Sequence, residues 1–197
     1  TLLVFTGDNG TDSPVVTSWK GKKIAGGKGK GGHDSGVRTP FFVTMPGTVQ
    51  AGKVCDELVD FSDLLPTFCE LAQIDFSADK NLDGVSLLPS LTGKGEREKP
   101  WSYLFYSRND GSRQASSVVV RNATHLVFRK GGPTKEVQSF NCSTPFERKL
   151  HEMKNQSEED RKVYAELTKV MTDYDARFQS ELSEEAVAKW QKKRKKN

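Results

Sequence analysis

Thr1-Leu2-Leu3-Val4-Phe5-Thr6-Gly7-Asp8-Asn9-Gly10 opens the chain, and its reading decides the fold. Residues 1–6 are a short, continuous apolar run, the pattern of a strand buried on both faces. Gly7 to Gly10 is a turn-forming cluster that ends the run abruptly. Open parallel sheets place ligand sites beyond the carboxyl ends of such strands, and Asp8 and Asn9 stand at that position. A chain whose first residues already lie inside a strand pattern is expected to be preceded by further sequence, with any export signal in that missing part.

The next thirty residues are rich in Gly and Lys and show no period, which predicts a long irregular loop kept for function. A second apolar run, Phe41 to Met45, predicts another buried strand, stopped by Pro46-Gly47. Ser62 is the expected N-cap of a helix, with Asp63 in its first turn and Pro66 tolerated near the start. Leu64, Leu65, Phe68, Leu71 and Ala72 recur at helical spacing. Asp83-Gly84 predicts a turn, and Leu87, Leu88 and Leu91 a short helix ending at Gly93.

From Trp101 the texture changes. Tyr103 to Tyr106, Ser117 to Arg121 and His125 to Arg129 read as strands, separated by the turn signals Asn109-Asp110-Gly111 and Asn122-Ala123-Thr124. Ser157 caps a long helix whose Val163, Tyr164, Leu167, Val170, Met171, Tyr174 and Phe178 form one apolar stripe. That stripe reads as core packing against an antiparallel meander. Ser183 to Lys196 is expected to form a weaker last helix. The pattern is of the mixed α/β class. Two domains are expected, residues 1–100 as sheet and helix and 101–197 as a small antiparallel sheet packed on a long helix.

The 197 residues are 35% apolar and 28% charged, a globular composition with enough chain for a core. The formal net charge of +4 is concentrated in the final eight residues, which hold five Lys or Arg, so no nucleic-acid partner is expected. No apolar run approaches the ~20 residues of a membrane helix, and no membrane partner is expected. Cys55, Cys69 and Cys142 lack metal-type spacing and read as buried or partly buried thiols.

Two constellations carry chemistry. Asp8 and Asn9 offer a carboxylate and a carboxamide, hard oxygen donors that suit calcium or magnesium, although Asp-Asn-Gly is also a common turn. Gly26-Gly27-Lys28-Gly29-Lys30-Gly31-Gly32 combines backbone that can approach a ligand closely with positive charge for an oxyanion. It is not a P-loop, since no Ser or Thr follows either lysine. His33 lies beside the lysines. It reads either as a group that meets a leaving group or as a solvated loop residue, whereas His125 and His151 read as structural.

The order of these pieces resembles the C-terminal catalytic segment of type I sulfatases, in the alkaline-phosphatase-like superfamily. The resemblance runs through TGDNGT, SWKGKKIAGGKGKGGHDSGVRTP, the apolar strand ending in MPG, DELVDFSDLLPTFCELA and LDGVSLLPSLTG, and covers about the first 95 residues. It implies that 1–100 is the C-terminal part of an alkaline-phosphatase-like domain. It implies hydrolysis of sulfate esters with a formylglycine nucleophile and a divalent cation, usually calcium. Asp8 and Asn9 then become metal ligands. Lys28, with Lys30 as runner-up, contacts the sulfate, His33 is the candidate proton donor, and Asp34 and Arg38 hold the loop. The implied substrate is a small-molecule or glycan sulfate ester. The implied location is periplasmic, secreted or lysosomal, with the oligomeric state open.

Formylglycine arises within CxPSR or SxPSR, and neither occurs in these 197 residues. The chain alone is therefore expected to be inactive and to bind calcium poorly. Phosphodiesterases and phosphoglycerol transferases of the same superfamily are the alternative, but Asp-Asn-Gly rather than Asp-His-Gly at residues 8–10 favours the single-cation sulfatase. A non-catalytic, degenerate paralogue is the other alternative. Asn122-Ala123-Thr124 and Asn155-Gln156-Ser157 are glycosylation sequons, meaningful only in an exported eukaryotic protein.

Overall fold

Three consecutive valines explain how the larger sheet is built. The structure, a computed structural model, describes residues 1–30, 32–76, 82–95, 97–106 and 116–181. The expected turn at Asn109-Asp110-Gly111 and the expected helix from Ser183 to Lys196 lie outside the described residues. Strands β5 (Ser102–Tyr106), β6 (Ser117–Arg121), β7 (His125–Lys130), β8 (Val137–Asn141) and β9 (Lys149–Leu150) are those of the larger sheet. They pair antiparallel in chain order. Val118, Val119 and Val120 of β6 are all buried, because both faces of the sheet are covered.

One face packs against α4 (Glu158–Glu181). Val118, Val120 and Val127 meet Tyr164, Leu167 and Met171 there. Tyr174 stacks on Tyr103 with centroids 4.0 Å apart, and its ring meets Trp101 edge-on at 6.0 Å. The apolar stripe of the helix is thus core, as its 3.6-residue period predicts. The opposite face carries Val119, Leu126 and Cys142, with Leu104, Phe128 and Phe140 packed against them. This second face lies under the glycine-rich loop. The expected meander has two further strands, β8 and β9, whose polar composition and short length gave no clear alternation.

Ser157 caps α4 reciprocally. Its Oγ accepts from the Asp160 amide at 3.1 Å, and its own amide donates to Asp160 Oδ2 at 2.8 Å. The Ser157 hydroxyl and His125 Nε2 also bond this carboxylate, and together they hold its pKa below the ordinary Asp value. A depressed carboxylate pKa adds stability that is complete above the unfolded value of about 4 and is lost as pH falls through the folded value. Ser157→Ala is expected to cost about 1 kcal/mol at neutral pH and to flatten the acid limb of stability. Urea titrations at neutral and acid pH check this.

In the first hundred residues, β1 (Leu3–Thr6) pairs antiparallel with β4 (Phe41–Thr44). Both strands exist, but one expectation needs correction, since they are not buried on both faces. Leu3, Phe5 and Phe42 are 62%, 61% and 64% exposed. Among the described residues these strands pair only with each other, so one face has no cover.

The stretch expected to be a structureless loop contains a hairpin, β2 (Val16–Trp19) with β3 (Lys22–Ala25), and the short helix α1 (Asp34–Val37). Lys20 and Gly21 turn the hairpin with φ of 47° and 78°, the two positive values that a type I′ turn requires. Lys-Gly is a weaker signal for that turn than Asn-Gly, and the hairpin is mostly exposed.

A 3₁₀ turn, Phe61–Asp63, leads into α2 (Leu64–Leu71). Its cap is Asp60 rather than Ser62. Asp60 Oδ1 accepts from the Ser62 amide at 3.0 Å, and the Asp60 amide donates to Asp63 Oδ2 at 3.1 Å. The buried Asp63 is matched by Arg97 at 2.7 Å and Lys99 at 3.3 Å. Helix α3 (Leu88–Thr92) ends at Gly93, whose φ of 70° is the left-handed C-terminal cap. Cys55 is exposed, contrary to expectation, whereas Cys69 is half-buried and Cys142 buried.

Candidate functional site

Three loop segments meet backbone to backbone. The Gly10 amide donates to the Gly36 carbonyl at 2.9 Å, and the amides of Gly27 and Lys28 both donate to the Thr11 carbonyl at 3.0 Å. The Gly26 amide donates to the Val15 carbonyl at 2.8 Å. Only glycine fits this junction. A Cβ on Gly10 would lie 2.1 Å from the Ser35 oxygen, on Gly26 2.0 Å from the Asp12 oxygen, and on Gly36 2.6 Å from the Gly27 oxygen. The glycines thus tie the Asp8-Asn9 turn, the Lys28 segment and α1 into one unit.

That unit rests on the second face of the sheet. Gly32 sits so close that an added Cβ would fall 2.5 Å from a Val119 methyl, and its φ is +85°. Asp34 is the main tether. Its carboxylate accepts from Arg121 Nη1 of β6 at 2.5 Å and from the Phe146 amide at 3.2 Å. Arg38 lies over the Phe146 ring at 5.5 Å, and Trp19 of the hairpin meets the same ring edge-on at 5.3 Å. Lys22 pairs with Glu147 at 2.6 Å. The segment 146–148, between β8 and β9, therefore touches both the hairpin and the glycine-rich loop. No sequence signal marked it, because its partners lie more than a hundred residues away.

The candidate residues fall as follows. Asp8 is exposed and Asn9 half-buried, and the Asn9 carboxamide donates to the Asp8 carboxylate. Lys28 and Lys30 are both exposed, with their backbone fixed, since the Lys30 amide donates to the Gly27 carbonyl at 2.7 Å. Among the described residues neither ammonium is engaged in an ion pair. His33 precedes α1, and its side chain does not cap the helix. Partial burial lowers its pKa from the ordinary 6.5, with Arg148 and Lys30 adding to the effect and Asp34 opposing it. The loop is thus rich in positive charge, and it favours a neutral imidazole at neutral pH.

His125 and His151 lie elsewhere, flanking Tyr164. His125 Nε2 bonds Asp160 at 2.8 Å and His151 Nδ1 bonds the Tyr164 hydroxyl at 2.9 Å. The donor chemistry of Asp8 and Asn9 fits a hard cation, but two oxygens fall short of the six to eight that calcium takes. Among the described residues no group of three or more His, Cys, Asp or Glu is placed to hold a metal ion. No described helix is long and apolar enough to cross a membrane.

Comparison with known proteins places this architecture. Residues 31–185 match the family described as N-sulphoglucosamine sulphohydrolase, C-terminal. Human arylsulfatase H is 36% identical over 100 residues, covering 48% of this chain and 18% of that protein. Human steryl-sulfatase is 36% identical over 115 residues, covering 55% of this chain and 19% of that protein. The matched region is thus under a fifth of each of these relatives.

The fold is that of BT4656, solved with its substrate D-glucosamine-2-N,6-O-disulfate. The TM-score is 0.59 at 16% identity, over 91% of this chain and 35% of that one. It is also that of BT1596, a 2-O GAG sulfatase, with a TM-score of 0.58 at 23% identity, over 89% and 36%. The expected alkaline-phosphatase-like α/β fold, with an antiparallel sheet packed on a long helix, is therefore the one observed. The chain belongs to the N-sulphoglucosamine sulphohydrolase C-terminal family and corresponds to the C-terminal part of a sulfatase.

Proposed function

We propose that this chain supplies one wall of the active site of an enzyme that hydrolyses sulfate esters. The observation that carries this reading is the glycine junction, which fixes a hard-oxygen pair and a cationic loop in one unit. Asp8 and Asn9 would bind a divalent cation, calcium by family resemblance. When bound, such a cation would supply Lewis-acid polarisation of a sulfate oxygen, with Asp8 and Asn9 as two of the residues that would hold it. Lys28 faces the sulfate, with Lys30 as the alternative, and offsets negative charge gathering on the sulfuryl group. His33 is the candidate proton donor to the departing alcohol, a role for its imidazolium form, which its lowered pKa populates only at acid pH. The nucleophile, a formylglycine, belongs to sequence outside these 197 residues, as do the remaining metal ligands.

The substrate class is a sulfated sugar. The disulfated glucosamine bound by BT4656 supports it, as does a basic loop that suits anionic ligands. An exported location is part of the same reading.

An aryl sulfate ester assay on two proteins tests it. One is the 197-residue chain. The other is the longer protein that contains it, produced with a formylglycine-generating enzyme. The longer protein is expected to turn over and the chain alone to show none, with weak calcium binding by calorimetry. Turnover by the chain alone would overturn the division of the site. A longer protein that processes no sulfate ester would overturn the sulfatase reading.

A further inference from the structure

Arg148 is a partly buried cation without a matching carboxylate. Among the described residues it forms no ion pair. Its guanidinium lies over the Phe140 ring at 3.8 Å and the Phe128 ring at 4.4 Å, and its Nη1 donates to the Gly32 carbonyl at 3.3 Å. A charge that gives up water for two aromatic faces and one carbonyl needs a reason to be there. The neighbouring backbone is also unusual. Phe146 has a φ of 62°, a left-handed conformation that an aromatic residue rarely adopts. Strain of this kind persists only where surrounding contacts impose it, and it concentrates at functional sites. Here those contacts are the Asp34 carboxylate on the Phe146 amide and the Trp19 and Arg38 side chains on its ring.

The segment reaches the turn between Lys30 and Asp34 twice, through the Phe146 amide on the Asp34 carboxylate and through Arg148 Nη1 on the Gly32 carbonyl. His33, Asp34, Ser35, Cys142 and Glu147 line the same small cavity. The Arg148 contact is aimed at backbone, so it acts on where the loop sits rather than on any ligand directly.

We propose that Arg148 is a positioning residue, held against Phe128 and Phe140, through which the C-terminal sheet fixes the Lys30–His33 turn for reaction. The catalytic part of this inference rests on the sulfatase reading, while the clamp itself does not. The two rings stand at 80° to each other, so a planar guanidinium can lie flat on only one of them while it touches the other and donates to the carbonyl. An ammonium keeps the charge but loses the planar stacking, so Arg148→Lys should fail to rescue.

The test is hydrogen–deuterium exchange on the 197-residue chain and its R148K and R148Q variants. In the wild type, the amides of Lys30, His33, Gly36 and Val37 are hydrogen-bonded within the loop and α1, so their protection reports on it. Both variants are expected to raise exchange at least tenfold across residues 28–37 while strands β6 and β7 stay unchanged. Histidine NMR titration gives a second readout. R148Q should move the His33 pKa up towards 6.5, since a repelling positive charge is removed.

Uniform loss of protection, or a loop that exchanges as in the wild type, would overturn the clamp. In the longer protein, R148K should lower kcat about tenfold or more with little change in KM. An unchanged kcat would overturn the catalytic part alone. An inactive wild type would instead count against the sulfatase reading, and the exchange data would still decide the clamp.

Discussion

Asp175→Ala is expected to destabilise the chain by about 3–5 kcal/mol, the range for removing one partner of a buried ion pair. Arg129 is 1% exposed, and its guanidinium meets the Asp175 carboxylate in a fork, Nη1 to Oδ2 at 2.5 Å and Nη2 to Oδ1 at 2.9 Å. The pair joins β7 to α4 beside Met171, the helix's most buried apolar residue. Removing the carboxylate leaves a cation that cannot ionise differently, because guanidinium does not release its proton in this range. For a chain of this size the loss is a fall in Tm on the order of 10 °C.

The companion experiment separates the pair from the packing. Among the described residues the Arg129 Nε has no hydrogen-bond partner, so its desolvation is incompletely offset. Replacing both residues together, Arg129→Met with Asp175→Leu, is expected to recover most of the loss, as apolar substitutes often do. Thermal melts of the two single variants and the double variant close the cycle. Equal destabilisation by Asp175→Ala and the double variant would sink the electrostatic account and leave packing as the cause.

The same contrast between local and distant causes explains what was legible in the sequence. Helix α4 could be read because its apolar stripe, its cap and its packing partners all follow one 3.6-residue period. Strand β6 could be read because three valines in a row suit a strand covered on both faces. The hairpin of β2 and β3 could not, because both strands are mostly exposed and its turn uses Lys-Gly. The exposed faces of β1 and β4 misled for the opposite reason. Leu3, Phe5 and Phe42 carry the chemistry of buried positions, yet within this chain they are uncovered.

The candidate site divides along the same line. Asp8, Asn9, Lys28 and Lys30 stand out as residue types in glycine-rich surroundings. The contacts of Asp34 with Arg121 and Phe146, and of Gly32 with Arg148, are set by tertiary geometry over 87 to 116 residues of separation. No local pattern encodes a contact of that kind.

Gly10→Ala is expected to disturb the site more than any exchange of a charged side chain around it. Its new methyl would lie 2.1 Å from the Ser35 oxygen and 2.7 Å from the Gly36 carbonyl carbon, both backbone atoms that cannot rotate away. One segment must move, and moving it stretches the 2.9 Å bond from the Gly10 amide to Gly36. The cost is about 1–3 kcal/mol for overpacking, to which the weakened hydrogen bond adds about 1 kcal/mol. Gly132→Ala is the control, since no atom lies within 4 Å of a Cβ there, and a surface change of that sort stays within about 0.5 kcal/mol. Melting curves and hydrogen exchange at Gly36 and Val37 read the difference. A Gly10→Ala chain as stable as Gly132→Ala, with α1 equally protected, would show that the junction tolerates displacement. If the junction is as rigid as its spacing requires, the methyl acts at once on the Asp8-Asn9 turn and, through Gly36 and its contact with Gly27, on the lysine loop. The longer protein carrying Gly10→Ala should then lose turnover by more than its lost stability explains, because the cation pair and the sulfate-facing lysine would no longer share one frame.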